Sequence, residues 1–92
     1  MAPTIRAPTL RGMSRLRVEF TIEPFVDGHP GEHVLAAWRA VEAQGAELSS
    51  GPFSSEAVVD EHQVDAVVGD LVRAAFAGGA DRVSVQVERV GP

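Results

Sequence analysis

The sequence predicts an α+β domain whose four strands and two helices follow the order β-α-β-β-α-β. Three observations predict it. Residues 16–22 alternate apolar and polar, residues 64–76 place apolar side chains at helical spacing, and residues 82–88 alternate again, with Gly or Pro at the boundaries. The chain has 92 residues, which suffices for one core, since separate cores usually need more than about fifty residues each.

Residues 1–14 carry Pro3, Pro8 and Gly12 with no sustained periodicity, and they read as a flexible basic leader to one domain over 15–92. In the first strand Leu16, Val18, Phe20 and Ile22 point one way and Arg17, Glu19, Thr21 and Glu23 the other, giving a half-buried strand from Leu16 to Phe25 that Pro24 ends. After the loop Val26-Asp27-Gly28-His29, Pro30 suits the first turn of a helix, because its ring fixes a helical φ. Val34, Ala37, Trp38 and Val41 form that helix's apolar stripe, and Gly45 stops it after about Gln44. On this spacing Trp38 reads as core.

A short second strand, Ala46 to Ser50, has Leu48 as its one apolar anchor and reads as an edge. The Gly51-Pro52 turn leads to a third strand over Phe53 to Val59. Asp60, with Gln63 three residues on, makes a capping-box pattern. The helix it heads carries Val64, Val67, Val68, Leu71, Val72, Ala75 and Phe76 in one stripe and ends at Gly78-Gly79. The last strand, Arg82 to Val90, turns Val83, Val85 and Val87 inward and Ser84, Gln86 and Glu88 outward. Two interleaved right-handed β-α-β crossovers then give a ferredoxin-like sandwich, a four-stranded antiparallel sheet with both helices on one face. The other face, with Glu19, Thr21, Glu23, Ser84, Gln86 and Glu88, is left open.

Composition narrows the chemistry. The eight cations are all arginine, and lysine, cysteine, tyrosine and asparagine are absent. This removes Schiff-base and P-loop lysines, thiol nucleophiles, disulfides and thiolate metal sites. The net charge is -5, and from Val18 onward four arginines face all thirteen acids, so a nucleic-acid partner is not expected. The same outward positions that carry stacking aromatics in an RNA-recognition domain hold Arg17, Glu19, Thr21 and Glu23 here. No signal-peptide h-region or long apolar run occurs, and the expectation is a soluble, cytoplasmic protein without a membrane partner. His29 and His33 are four apart, a spacing that on one helix presents two imidazoles to a metal, but Pro30 lies between them, and both read as surface residues, as does His62. Ser49, Ser50, Ser54 and Ser55 have no base or orienting acid at a recognisable spacing, so they read as hydrogen-bonding groups and no catalytic residue is assigned.

The strand Val18-Glu19-Phe20-Thr21-Ile22-Glu23-Pro24-Phe25, the turn Gly51-Pro52-Phe53-Ser54-Ser55 and the segment Ala77-Gly78-Gly79-Ala80-Asp81-Arg82-Val83-Ser84-Val85-Gln86-Val87 together resemble the small thiamine-binding proteins of the YkoF-like family. The resemblance runs in order from Leu16 to about Val90. It implies a ferredoxin-like subunit that associates through its sheet, as a dimer or tetramer, and binds thiamine or its hydroxymethylpyrimidine moiety without turning it over. Val58 and Val59 stand where that family's pattern has Glu-Gly.

The residues themselves suit such a ligand. Thiamine is a cation bearing an aminopyrimidine, so it calls for a carboxylate, paired donors and acceptors, and an apolar wall. Glu19 or Glu23 supplies charge, Thr21, Ser54, Ser55 and Gln86 supply hydrogen bonds, and Phe53 or Trp38 supplies the wall, at the open sheet face or a subunit interface. The bland alternative for Glu19, Glu23 and Gln86 is a solvated strand face. The expected function is non-enzymatic thiamine binding with no further cofactor; the alternative is a structural or regulatory interaction module of the same fold without a ligand.

Overall fold

A computed structural model describes residues 14–91; apart from Ser14, the expected leader lies outside the described residues. The elements are β1 (Arg15–Glu23), α1 (Glu32–Ala43), β2 (Glu47–Ser50), β3 (Ser55–Asp60), a 3-10 turn (Glu61–Gln63), α2 (Val64–Ala77) and β4 (Arg82–Gly91). All strand pairs are antiparallel, in the order β2-β3-β1-β4. This is the order that two interleaved crossovers impose, and the expected ferredoxin-like α+β sandwich is what forms.

β1 is central, paired with β3 on one side and β4 on the other. Its alternation is realised in full: Leu16, Val18, Phe20 and Ile22 are buried, and Val18 lies opposite Ala57 and Val87. Facing strand residues share a side of the sheet, so Ser55, Ala57 and Val59 of β3 join the helix-covered side, and all three are buried. Ala37 and Val41 of α1 and Val67, Leu71 and Ala75 of α2 close the core. Asp60 and Gln63 form the expected capping box, with Asp60 N–H donating to Gln63 Oε1 at 3.4 Å.

Several expectations are corrected. β1 ends at Glu23, so Phe25 belongs to the loop, and the Glu23–Pro24 bond is cis. α1 begins at Glu32 with Gly31 as its cap, which puts Pro30 before the helix and outside its first turn. β3 starts at Ser55, leaving Phe53 and Ser54 in the turn. Phe76 and Val87, assigned to the core, are about half exposed, because each lies at the outer margin of the helix and sheet layers. His33, expected at the surface, is buried: it falls one turn before Ala37 and two before Val41, on the face that α1 turns inward.

The two helices meet closely at one end. A Cβ added to Gly78 would lie 2.9 Å from the His33 Cα and 3.3 Å from the Glu32 carbonyl oxygen, so only glycine allows this approach. Gly69, inside α2, has nothing within 4 Å of such a Cβ. Gly78→Ala is therefore expected to lower unfolding free energy by about 1–3 kcal/mol. Gly69→Ala is expected to raise it by up to about 1 kcal/mol through helix propensity. Urea denaturation of both variants checks the opposite signs.

Candidate functional site

A cavity of about 440 Å³ opens at the end of the sandwich where the β1–α1 loop and the β2–β3 turn come together. Its size falls in the range of about 300–1,000 Å³ usual for small-molecule sites. Phe20 and Ile22 of β1 and Val34 and Trp38 of α1 form the wall, Ser50 of β2 and Ser55 of β3 add hydroxyls, and the loop and turn supply the rest.

Polar groups are few and specific. Trp38 is only partly buried, and its indole Nε1–H donates to Ser55 Oγ at 2.8 Å. The Ser55 hydroxyl thus accepts from the indole and keeps its own proton for another acceptor. Among the described residues Asp27 is the sole carboxylate in the lining, and His29, whose Nδ1 lies 3.3 Å from the Pro30 carbonyl oxygen, is the other ionisable group there. At the rim Phe25 from the loop meets Phe53 from the turn edge to face, with centroids 5.8 Å apart and planes at 76°. Both rings are exposed, and such pairs contribute about 0.5–1.5 kcal/mol beyond their buried area.

The loop is positioned from beneath. His33 Nε2 donates to the Pro24 carbonyl oxygen at 2.6 Å, tying the start of the loop to the first turn of α1. A Cβ on Gly31 would come within 2.5 Å of His33 Cε1, so the glycine makes room for the ring. The turn is closed by Gly51 N–H donating to the Ser54 carbonyl oxygen at 2.8 Å.

The structure divides the residues expected to act together. Phe53, Ser54 and Ser55 line the cavity. Ser55 faces the helices and not the open face, since it pairs with Phe20. Glu19, Thr21 and Gln86 lie on the open side, with Glu19 opposite Gln86 and Thr21 opposite Ser84. Glu23 stands at the end of β1, its carboxylate 3.9 Å from Arg82. One contact links the two groups: Ser54 Oγ donates to Glu19 Oε2 at 3.4 Å. Trp38, which the sequence offers as an alternative wall to Phe53, does line the cavity, whereas Phe25, Asp27 and His29 are not among the ligand-binding residues expected from the sequence. The usable signal was the pair of phenylalanines, each placed beside a Gly- and Pro-containing turn.

No family model matches the chain, and no curated protein matches it. Solved structures do. A domain of unknown function, DUF77, from Bacillus cereus superposes with a TM-score of 0.64 at 16% identity, over 89% of this chain and 80% of that one. A Thermotoga maritima protein provisionally assigned to thiamine biosynthesis or salvage superposes with a TM-score of 0.62 at 19% identity, over 80% and 82%. Clostridium acetobutylicum aspartate kinase, an allosteric enzyme, superposes with a TM-score of 0.53 at 12% identity, over 86% of this chain and 20% of the kinase. At these identities the likeness is one of fold.

The Trp38–Ser55 bond is open to a direct check. Trp38→Phe and Ser55→Ala are each expected to destabilise the protein, and their double-mutant cycle is expected to give a coupling of about 1 kcal/mol by chemical denaturation.

Proposed function

We propose that this protein binds thiamine, or its hydroxymethylpyrimidine moiety, in the cavity between the β1–α1 loop and the β2–β3 turn, and releases it unchanged. The observation that carries the reading is the combination of a partly enclosed cavity, aromatic rings at its rim and a single carboxylate in its lining. A flat cationic heterocycle needs those three things. In this arrangement Asp27 opposes the cation, the Ser55 hydroxyl donates to a pyrimidine nitrogen, and Phe25 and Phe53 cover the ring. The fold shared with the Thermotoga protein and the resemblance of the β1, turn and β4 segments to thiamine-binding proteins support the choice of ligand.

A ligand of about eighteen non-hydrogen atoms at roughly 0.4 kcal/mol each would bind with about 7 kcal/mol, a micromolar dissociation constant. Reversible carriage or sensing fits that range.

Calorimetric titration with thiamine and with hydroxymethylpyrimidine tests the proposal. Binding is expected, weakened about tenfold or more by Ser55→Ala and by Asp27→Asn, and unchanged by Thr21→Ala and Gln86→Ala. Loss of binding in the latter two alone would move the site to the open face. No heat and no thermal shift at millimolar ligand would leave the fold as an interaction module without a ligand, and product formation from either compound would make it an enzyme.

A further inference from the structure

The sheet's contribution to the cavity ends in a pair of serines. Ser50, the last residue of β2, lies opposite Ser55, the first of β3. Facing residues stand on the same side of a sheet. Ser55 is on the helix-covered side, so Ser50 is there too, and both line the cavity. The bond from Gly51 N–H to the Ser54 carbonyl oxygen, one step further along the hairpin, fixes the kind of pair they make. Hydrogen-bonded and non-hydrogen-bonded pairs alternate along an antiparallel ladder, so Ser50 and Ser55 are of the second kind, whose side chains stand closer. Their Cβ atoms are then about 4.5–5.5 Å apart, and two hydroxyls are held side by side.

The two hydroxyls are not equivalent. Ser55 is 6% exposed and already accepts from the Trp38 indole N–H at 2.8 Å. An oxygen engaged in that way has its own proton to give, so Ser55 is set as a donor toward the cavity. Ser50 is exposed, and its hydroxyl has no partner among the described residues. It is free to accept. The third serine of the lining, Ser54, is committed elsewhere, since its hydroxyl donates to Glu19 at 3.4 Å.

We propose that Ser50 is a specificity-determining residue, which accepts a hydrogen bond from an exocyclic amino group of the ligand while Ser55 donates to the ring nitrogen beside it. The inference rests on the ligand-binding reading above and names the feature that the site selects: a flat heterocycle with an amino group next to an unprotonated ring nitrogen. On such an edge an acceptor and a donor occupy neighbouring positions. Two freely rotating hydroxyls would take them in either order; the indole bond orients one of the pair and gives the reader a direction. Because Ser50 lies in contact with solvent on an edge strand, its bond competes with water and its effect is that of a single exposed hydrogen bond.

Calorimetric titration of the full chain and of Ser50→Ala, with thiamine and with the thiamine analogue that lacks the pyrimidine amino group, tests the proposal as a cycle. Ser50→Ala is expected to weaken thiamine binding about fivefold. It is expected to leave the affinity for the deaminated analogue unchanged, because the analogue gives Ser50 nothing to accept. Ser50→Thr, which keeps the hydroxyl, is expected to retain the preference for thiamine. Ser49→Ala, on the open side opposite Glu56, is expected to alter neither affinity. The ratio of the two affinities is read within one protein, so a change in stability cannot imitate the result. Equal weakening of both ligands by Ser50→Ala, weakening of neither, or equal affinity of the natural chain for both would overturn the proposal and leave the binding function standing. Failure of the natural chain to bind either compound would overturn the binding reading and this proposal with it.

Discussion

The strict alternation of β1 is the constraint on which the rest of the molecule depends. As the central strand it is hydrogen-bonded along both sides, so its register dictates which residues of β3 and β4 face the helices. Its four apolar residues fill the middle of the core, and a slip of one residue would put Arg17, Glu19 and Thr21 there instead. The cost of burying those charges holds the strand in place. The outward residues are thereby committed to a polar, ion-paired surface, with Arg17 reaching Glu56 at 3.1 Å and Glu88 at 2.6 Å. Such exposed pairs add little stability; their effect is to keep that side of the sheet wet.

A second, local constraint shapes the cavity. His33 is wedged between the end of α2 and the loop before α1, with glycine at both points of closest approach, and it presents Nε2–H to Pro24. A buried imidazole needs a hydrogen-bond partner, and the one it finds is the carbonyl at the start of the loop that carries Phe25, Asp27 and His29. Helix packing and cavity geometry are thus joined in a single side chain. The opposite wall is held the same way by Trp38, whose indole sits against the apolar layer while its N–H reaches Ser55 at the first residue of β3.

Much of the fold was legible because period and punctuation agreed: alternation in β1, heptad-like spacing in α2, the capping box at Asp60 and glycines after both helices. Positions where a side chain's chemistry and its place disagree were not legible. His33 lies in line with Ala37 and Val41, but an imidazole on an apolar face gives no hydropathy signal. Phe76 and Val87 have the right hydropathy and lie beyond the reach of the layer they were expected to join. The site was less legible than the fold. Ser55 was grouped with Thr21 and Gln86 because the parity of β3 depends on register against β1, which hydropathy does not report. The cavity draws Phe25 and Asp27, Trp38, and Phe53 to Ser55 from three separate segments, and only the topology brings them together.

The unequal lengths of the two sheet edges have a consequence for how far assembly can run. A contact joining a short β2 edge to a long β4 edge is head to tail, and repeating it builds an open-ended fibre. It would leave most of β4 unpaired at every junction. A symmetric contact between the two long edges consumes both at once and leaves only four-residue edges outward, each carrying Glu47. Growth then has no favourable next step. The short edge, with Glu47 on it, is a poor template for the indefinite sheet that a long exposed edge otherwise invites.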